Sequence, residues 1–471
     1  MRTTWMILAA GLALSGCVWN ALDKSGGEGP VLTLTMATSD QPGGPQTAEL
    51  EHFAELVAEK SDGRMRIDVT YAAMGPDHRK FDQAVAGLVQ DGSYDLGVVP
   101  ARSWDDLDVT AFRALQSPFL LDRDELVDAV VQDALAETML EGLDGSRVQG
   151  LVLWPDALRH PVGYGAPILR LSDLRGAALH APYSRDVYAM LEALGSEPSD
   201  LDRVGITTRY ASGTLDGTEA GADAAFGPPS TITADVALYA KVNTIVANEA
   251  AWKGLSDTEQ TAVQDAARST RDWLVSERPR EDDLLLDACD NGTGVTVAGS
   301  AAVAEMRKAT REHEQELRAD AEAGPVIERI EALAKTLDSD PVSIVECAAQ
   351  GEAPDIGELI DPDALDGTYR AEFTEQEFRQ AGADAQSAAS NAGVWTITLD
   401  GGRYSAAADT CTASYDLSKT MISFRWDPGT CSGDWTARWE LTERGLQFTD
   451  VQTTYAVDRA LWGAHEWVRL G

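Results

Sequence analysis

Five cysteines are the residues whose chemistry the sequence constrains most closely. Cys17 stands alone near the amino terminus, and the other four form an even set: Cys289, Cys347, Cys411 and Cys431. No two of them are spaced as Cys-x-x-Cys, so neither a zinc site nor thioredoxin-like redox chemistry is supported. An even set in an exported chain predicts disulfides. Of the three possible pairings we favour Cys289–Cys347 and Cys411–Cys431, because each pair then stays within one predicted domain.

Cys17 follows Leu14, Ser15 and Gly16, after a short apolar stretch that begins at Trp5 and is too short to span a bilayer. This segment resembles the lipobox of bacterial lipoproteins. The resemblance implies cleavage before Cys17, diacylation of its thiol and acylation, for example with palmitate, of the new amino terminus. Several acyl chains hold a protein stably at a membrane. We therefore expect residues 1–16 to be a signal peptide, residues 17–30 a flexible tether, and the protein to lie on the extracytoplasmic face of the cell membrane.

The charge balance excludes one class of partner. The chain carries 77 acidic and 38 basic residues, for a net charge of -39, and such a polyanion repels nucleic acid. The charge keeps the surface hydrated, and the alternative is that it steers a cationic ligand. The histidines do not form HExxH, and no GxSxG, P-loop or dinucleotide motif is present. We therefore predict neither an enzyme nor a bound metal or cofactor.

Hydrophobic patterning predicts an α/β domain over residues 31–337. Strands are expected near 32–36, 65–69 and 96–99, with a helix after each of the first two, which is typical of a parallel sheet. Another buried strand is expected at 148–154. Helical patterns then cover 256–286 and 301–337. Periodicity is lost at 338–363, where prolines lie among acidic residues, so this stretch is predicted to be a linker.

The last part of the chain, residues 364–471, has an all-β pattern of short strands separated by turns. A small β-barrel or sandwich with an aromatic core fits this pattern. The opening Asp366–Arg370 and the closing Trp467–Leu470 resemble the ends of a lipocalin, as though the two ends of a barrel met.

Residues 31–337 resemble the solute-binding receptors of TRAP-type transporters, which are tripartite and independent of ATP. Seven short motifs occur in the family's order. They are Asp62–Arg64, Tyr94–Gly97, Ser117–Leu121, Leu171–Gly176, Leu191–Gly195 with Pro198, Gly213–Glu219, and Asn248 with Trp252, Leu255 and Ser256. The resemblance implies a two-lobed, periplasmic-binding-protein-like fold that closes by a hinge on a small solute. It also implies an organic acid as ligand and TRAP-type membrane permease subunits as partners.

The resemblance also nominates pocket residues, and two of them depart from the family. The family's arginine that holds the ligand carboxylate stands before Val-Pro, and this chain has His180 there. The family's asparagine after Gly-x-Glu is Ala220. A second family arginine is matched by Arg159, which becomes the candidate for a ligand carboxylate. His180 is a candidate contact, although histidine lacks the guanidinium fork and is only partly charged near neutral pH.

Further ligand-binding candidates come from position in an α/β fold, whose crevice lies at the carboxyl ends of the strands. Thr38 and Ser39 follow the first strand and offer hydroxyl and backbone donors. Trp104 follows the third strand and could close the pocket from the first lobe. Tyr183 and Phe226 are aromatic residues near the expected crevice that could stack on a ligand.

Together these observations predict an extracytoplasmic lipoprotein that captures a small solute for a TRAP-type secondary transporter. The alternative is a sensor or interaction lipoprotein, in which the TRAP-like fold has lost its transport ligand and the C-terminal β domain contacts a partner. The changes at His180 and Ala220, and the extra domain, motivate that alternative.

Overall fold

A computed structural model describes most of the chain after the predicted tether. The described residues are 31–44, 46–73, 80–201, 206, 209–210, 215–224, 229–337, 344–351, 360–383, 385–406, 411–426, 435–453 and 456–470. The predictions for Cys17, Phe226 and Cys431, and for most of the linker, lie outside these residues.

The first lobe begins with three parallel strands, as predicted. β1 (Leu32–Ala37) lies between β2 (Met65–Thr70) and β3 (Leu96–Pro100) and pairs with both in parallel. The helices Thr47–Lys60 and Phe81–Gln90 provide the crossovers. Apolar residues alternate with polar ones in β1 and β2 and are nearly continuous in β3. These apolar side chains pack into a core that helices cover. The carboxyl ends of β1 and β3 consequently meet at one edge.

Two long strands connect the first lobe to the second. β4 (Val148–Tyr164) and β9 (Tyr239–Asn248) pair antiparallel, and β9 also pairs antiparallel with β3. The predicted strand at 148–154 was therefore too short. The predicted parallel pairing holds for β1 to β3, but β4 and β9 make the sheet a mixed one. The strand continues past Pro155. The register shifts between Pro155 and Leu158, and this bulge accommodates the proline within the strand.

The second lobe is built on the far half of β4. Its other strands are β5 (Ala178–His180), β6 (Glu197–Ser199), β7 (Gly217–Ala220), β8 (Ser230–Thr233) and β10 (Gly294–Thr296). The sheet runs β2-β1-β3-β9-β4-β7-β5-β6, and β8 branches from β4 to pair with β10. Strands β4 and β9 thus belong to both lobes, the position that a hinge requires.

Short helices cover both lobes. After β3 they are the 3-10 helices Ala101–Leu107 and Arg113–Gln116 and the α-helices Asp124–Gln132, Leu135–Glu141, Leu171–Leu174, Arg185–Ala193, Glu249–Gly254, Asp257–Glu277, Glu281–Asp290, Ser300–Ala309, Arg311–Ala319 and Ala323–Ala334. The two long helical stretches expected from the sequence are therefore divided. The first ends before Pro279, which cannot continue a helix. Its start matches a capping box between Ser256 and Glu259.

A disulfide joins Cys289 to Cys347, with the Cα atoms 6.0 Å apart, and it is the first of the two favoured pairings. Cys347 also forms an isolated β-bridge with Val295. These contacts fasten the part of the predicted linker around Cys347 to the second lobe. Cys411 is buried, and its predicted bond to Cys431 remains a prediction.

The C-terminal domain is a closed eight-stranded antiparallel barrel. Its strands are β11 (Gly367–Phe373), β12 (Gly393–Asp400), β13 (Arg403–Ala406), β14 (Thr412–Leu417), β15 (Met421–Trp426), β16 (Trp435–Leu441), β17 (Gly445–Gln452) and β18 (Trp467–Leu470). β11 pairs with β18, as the meeting of the two ends predicted. The sequence missed β14, and it also missed the helices Glu375–Gln380, Ala385–Asn391 and Ala456–Gly463 and the 3-10 helix Pro362–Leu365.

Over the part of the chain that the structure describes, every helix is too short or too polar to cross a membrane.

Candidate functional site

The candidate site is a crevice where the carboxyl ends of β1 and β3 meet the middle of β4 and β9. Asn243 of β9 stands between Pro100 of β3 and Trp154 of β4 in the strand register. The bulge in β4 falls directly afterwards, at Asp156. Bulges re-aim side chains and are frequent beside functional sites. The two lobes therefore bring polar groups to one place on the shared strands.

Arg159 on β4 is oriented by Glu219 on β7. Its Nε donates to Glu219 Oε2 over 2.7 Å, and its Nη2 donates to the Glu219 carbonyl over 2.9 Å. The hydroxyl of Tyr239 donates to the other carboxylate oxygen of Glu219 over 3.1 Å. Burial lowers the pKa of Arg159, but Glu219 more than offsets this, so the pKa stands above its ordinary value and the charge is permanent.

Arg102, just after β3, is a second buried arginine in the crevice and was missed by the sequence analysis. Its Nη2 donates to Asp82 over 2.7 Å, and the hydroxyl of Ser39 donates to the other oxygen of Asp82 over 2.8 Å. The Arg102 side chain is only 4% exposed. Among the described residues, its Nε and Nη1 atoms have no hydrogen-bond partner. Arg102 lies within electrostatic range of Arg159 and Tyr239.

Lys241 on β9 lies opposite the β4 bulge and pairs with Asp156 over 2.9 Å. The same Asp156 oxygen accepts from Asn243 Nδ2 over 2.7 Å and from Gln46 Nε2 over 3.3 Å. Burial raises the pKa of Asp156, but Lys241 and these hydrogen bonds outweigh it and hold the pKa below its ordinary value. Both charges therefore persist at neutral pH.

Tyr239, Lys241 and Asn243 alternate along β9, so their side chains project from one face of the strand. Each of them binds a carboxylate from another strand: Glu219 for Tyr239, and Asp156 for Lys241 and Asn243. One face of a hinge strand thus supplies much of the polar surface of the crevice.

Three further carboxyl groups lie within electrostatic range of Lys241, and none of them forms a salt bridge within the described part of the chain. Burial raises the pKa of Asp40, raises that of Asp223 to about 6, and raises that of Glu49 well above its ordinary value. Asp40 interacts electrostatically with both Lys241 and Arg102. The carboxylates therefore outnumber the basic side chains in this part of the crevice.

A cavity of about 660 Å³ opens beside these carboxylates. Glu49 from the first lobe and Asp223 from the second line it, together with Asp156. Its wall also includes Arg278, which is itself paired with Asp124 over 2.8 Å. A space of this size holds a small organic molecule.

His180, the last residue of β5, is buried and neutral. Its Nδ1 accepts a hydrogen bond from the Leu201 backbone N–H over 3.2 Å. Burial lowers the pKa of His180 to about 4, although Glu219 acts in the opposite direction. His180 lies within electrostatic range of Arg159 and Arg102. It therefore shares the crevice but brings no positive charge at neutral pH.

The remaining predicted ligand contacts fall into different surroundings. Ser39 lies in the crevice on Asp82, and Thr38 is buried beside it, with its hydroxyl 3.4 Å from Gln46. Tyr183 lies under the ammonium of Lys80, 4.0 Å from the ring centre. Trp104 is completely buried in the apolar core, and its indole N–H donates to Thr244 over 2.8 Å.

The arrangement suits the binding of an anionic group. In the described part of the chain, His, Cys, Asp and Glu side chains form no group of three or more that could hold a metal ion. The buried cations are oriented by carboxylates, which fixes their donors in space before a ligand arrives. Preorganised donors of this kind raise affinity for an anionic group.

The missed residues had a common signal in the sequence. Arg102, Asp156, Lys241 and Asn243 are polar residues within or beside apolar strands. Charged residues are almost never buried unless they are paired. Polar residues in such strands therefore indicate a buried, paired cluster, although the sequence does not reveal which residues form the pairs.

Comparisons with known proteins agree with this picture. A family model described as bacterial extracellular solute-binding protein, family 7, matches residues 36–320. A C4-dicarboxylate-binding periplasmic protein of Rhodobacter capsulatus is 22% identical over 267 residues, which covers 54% of this chain and 75% of that protein. An uncharacterized protein of Sinorhizobium fredii is 25% identical over 187 residues, but the match spans only 34% of that protein and 40% of this chain.

Solved structures share the fold. A TRAP periplasmic solute-binding protein from Ochrobactrum anthropi has a TM-score of 0.56 and 23% identity, and the match covers 65% of this chain and 97% of that one. A sugar-acid-binding protein from Advenella mimigardefordensis, in complex with galactonate, has a TM-score of 0.57 and 19% identity, with 65% and 99% covered. The barrel begins beyond the residues that the family model matches.

Proposed function

Because the chain belongs to the bacterial extracellular solute-binding protein family 7, whose model matches residues 36–320, we propose that it captures a small organic or sugar acid outside the cytoplasm. The captured acid is delivered to TRAP-type membrane permease subunits. Relatives with this fold support the ligand class, since one was solved with galactonate and another with 2-acetolactate.

The observation that carries the proposal is the paired arginine on the hinge strand. Glu219 takes the Nε and one Nη2 hydrogen of Arg159, while the structure gives its Nη1 no partner among the described residues. The side chain is 12% exposed. An arginine held in this way presents its outer edge to a carboxylate, and such charge-assisted bonds are among the strongest available to a receptor.

The test is a thermal-shift screen of the purified full chain against organic acids, sugar acids, amino acids and neutral solutes. A ligand at 100 times its dissociation constant stabilises the folded state by about 2.7 kcal/mol. We expect an acid to raise the melting temperature of the α/β domain. Arg159→Ala should abolish that shift, whereas Arg170→Ala, at an exposed position in the same lobe, should preserve it.

The proposal would be overturned if no acid in the screen changed the melting temperature of the folded protein. That outcome would favour the sensor or interaction lipoprotein, in which the crevice has lost its transport ligand. The neutral state of His180, where the family has an arginine, gives that second candidate its structural motive. A shift that survives Arg159→Ala would place the acid elsewhere.

We also propose that Cys17 is lipidated and holds the receptor at the extracytoplasmic face of the cell membrane. The motive is the lipobox-like Leu14–Cys17 after a short apolar segment. Metabolic labelling with a palmitate analogue should mark the full chain, and Cys17→Ser should remove the label and release the protein from membranes. Membrane association of unlabelled Cys17→Ser protein would refute the anchor.

A further inference from the structure

The crevice has two poles of opposite character. The arginine pole holds Arg102 and Arg159, each oriented by a single carboxylate. The carboxylate pole holds Glu49, Asp156 and Asp223 around the cavity of about 660 Å³. Lys241 pairs with Asp156, so Glu49 and Asp223 are in excess there. Burial raises the pKa of both carboxyl groups because no positive group fully compensates for it, and a ligand cation would supply that compensation.

The arginine pole leaves hydrogen-bond donors unused. Arg102 is 4% exposed, and its Nε and Nη1 have no partner among the described residues. Leaving a buried charged donor unpaired is costly, and an acceptor that arrives with the ligand removes that cost. A carboxylate is the acceptor that best matches a guanidinium.

The carboxylate pole leaves hydrogen-bond acceptors unused. Asn243 is fully buried and gives its Nδ2 to Asp156, which can only accept, so its amide orientation is fixed. The Oδ1 of Asn243 then has no partner within the described chain, and neither does the buried Oε2 of Glu49. Both atoms accept hydrogen bonds. The group that completes them is a donor, and the excess carboxylates favour a positive one.

A chain of contacts joins the two poles. Asp82, the partner of Arg102, accepts a hydrogen bond from Ser39, and the hydroxyl of the adjacent Thr38 lies 3.4 Å from Gln46, which donates to Asp156 over 3.3 Å. Asp40 is within electrostatic range of Asp156 and Lys241 on one side and of Asp82 and Arg102 on the other. The positive charge of Arg102 also lowers the pKa of Lys241. One network of contacts therefore links the residues with unused donors to those with unused acceptors.

We infer that the solute is a zwitterionic acid, whose carboxylate binds Arg159 and Arg102 and whose ammonium binds Glu49 and Asn243. The inference rests on the proposed function and names the class of acid that the receptor takes. A dicarboxylate would bring a second acceptor, and not a donor, to the unused Oδ1 of Asn243. An acid without an amine would leave the acceptors of Glu49 and Asn243 unpaired, which sites built to bind a donor reject strongly.

The test is calorimetric titration of the full chain with matched probes that differ in one group. The four-carbon set is 4-aminobutanoate, succinate and butanoate, and shorter and longer amino acids extend the zwitterionic set. We expect at least one zwitterion to bind at least about tenfold more tightly than its dicarboxylate and amine-free counterparts, a discrimination of the kind that unpaired polar groups produce.

Two variants separate the poles. Arg102→Gln should weaken every acid by at least about tenfold, since each loses the same charge-assisted bonds. Glu49→Gln should weaken the zwitterion while leaving the amine-free acid unchanged, so that the ratio of their affinities collapses. Arg66→Ala and Glu51→Gln, at exposed positions in the same lobe, should change neither affinity. Melting temperatures without ligand establish that each variant is folded.

The outcomes distinguish this inference from the proposed function. Binding of acids that depends on Arg159 but shows no preference for the amine overturns the zwitterion and leaves the acid receptor standing. Tighter binding of succinate than of any zwitterion does the same. An affinity ratio that survives Glu49→Gln removes Glu49 from the ammonium site and overturns the assignment. Silence toward all of these probes and toward the wider acid library overturns both.

Discussion

The crevice of the α/β domain and the interior of the C-terminal barrel are both enclosed by β-strands, but they are filled in opposite ways. The crevice buries arginine, lysine and carboxylate groups in pairs, such as Arg159 with Glu219. The barrel buries rings: Trp435 stacks on Trp462 with centroids 4.5 Å apart, and Phe424 stacks on Trp435 at 4.7 Å. The first region buries charged groups, and the second buries rings that pack on one another.

The difference teaches that an enclosed, strand-lined space suits a charged solute where it buries oriented charged groups, and not where aromatic rings fill it. In an eight-stranded barrel, side chains can fill the interior completely or leave room for one small ligand. Here the aromatic residues favour the filled state, so we expect the lipocalin-like outline of the barrel not to bring a lipocalin-like ligand. Its cavity of about 470 Å³ lies instead between the helix Ala456–Gly463 and β17.

Removing the central ring of the barrel should produce the largest effect on stability. Trp462 is fully buried and contacts Tyr404, Phe424, Phe448 and Trp467 as well as Trp435. Trp462→Ala should lower the free energy of unfolding of the barrel by about 4 kcal/mol, by analogy with other large-to-small core substitutions. Denaturant titration monitored by tryptophan fluorescence measures this loss.

The affinity of the crevice for its acid should not change in the same variant. Trp462→Phe is the matched control and should lose much less, because it retains a ring and removes an indole N–H that has no partner among the described residues. A parallel loss of solute binding in Trp462→Ala would break the separation of the two regions.

Removing the disulfide Cys289–Cys347 should lower the stability of the α/β domain. The two cysteines are 58 residues apart, and a cross-link over a loop of that length stabilises by about 4 kcal/mol in the chain-entropy model, usually less in practice. Cys289→Ser with Cys347→Ser should therefore lower the stability of the α/β domain by up to this amount. Calorimetry should show the loss in that domain, with an unchanged melting transition of the barrel.

Breaking a crevice pair from its acidic side should cost somewhat less. Glu219→Gln leaves Arg159 buried without its counter-charge, and removing one partner of a buried pair destabilises by about 3 kcal/mol. Affinity for the acid should fall too, because the orientation of Arg159 is lost. The double variant Arg159→Met with Glu219→Leu should recover most of the stability but no binding. Equal stability of the single and double variants would contradict this account.

How far the sequence predicts each region follows from the range of the interactions involved. The parallel start of the sheet and the closure of the barrel follow from local patterns, such as the alternation in Leu32–Ala37 and the strands at both ends of the last domain. The two-lobed class followed from motifs spread along the chain. Predicting these features does not require knowing which strands are neighbours in the sheet.

The crevice was predicted less completely, because its pairs join distant residues. Arg159, Ser39 and His180 were identified, but Arg102 depends on Asp82, and Lys241 depends on a bulge in another strand. A bulge shifts the register by one residue and changes which side chains face each other. Sequence periodicity alone cannot place such a shift. The predicted strand therefore stopped at residue 154, although β4 continues through the bulge to Tyr164.

The smallest expected effect concerns Asp458, a buried charge of the barrel. Burial raises the pKa of this carboxyl to about 7, whereas the unfolded value is near 4. A group with a raised folded pKa contributes stability that is fully present below its unfolded pKa and is lost as pH rises through its folded pKa. The barrel should therefore lose about 2 kcal/mol between pH 5 and pH 8, a figure reduced by the favourable position of Asp458 in the first turn of its helix.

Asp458→Asn should remove this pH dependence, since the amide cannot ionise, and should make the barrel more stable than the parent at pH 8. Denaturant midpoints at a series of pH values measure it, with the exposed Asp450→Asn as the control. Persistence of the slope in Asp458→Asn would assign it to another group. The result sharpens the contrast between the regions: the arginine and lysine pairs of the crevice keep their charges near neutral pH, whereas the buried carboxyl of Asp458 makes the stability of the barrel depend on pH.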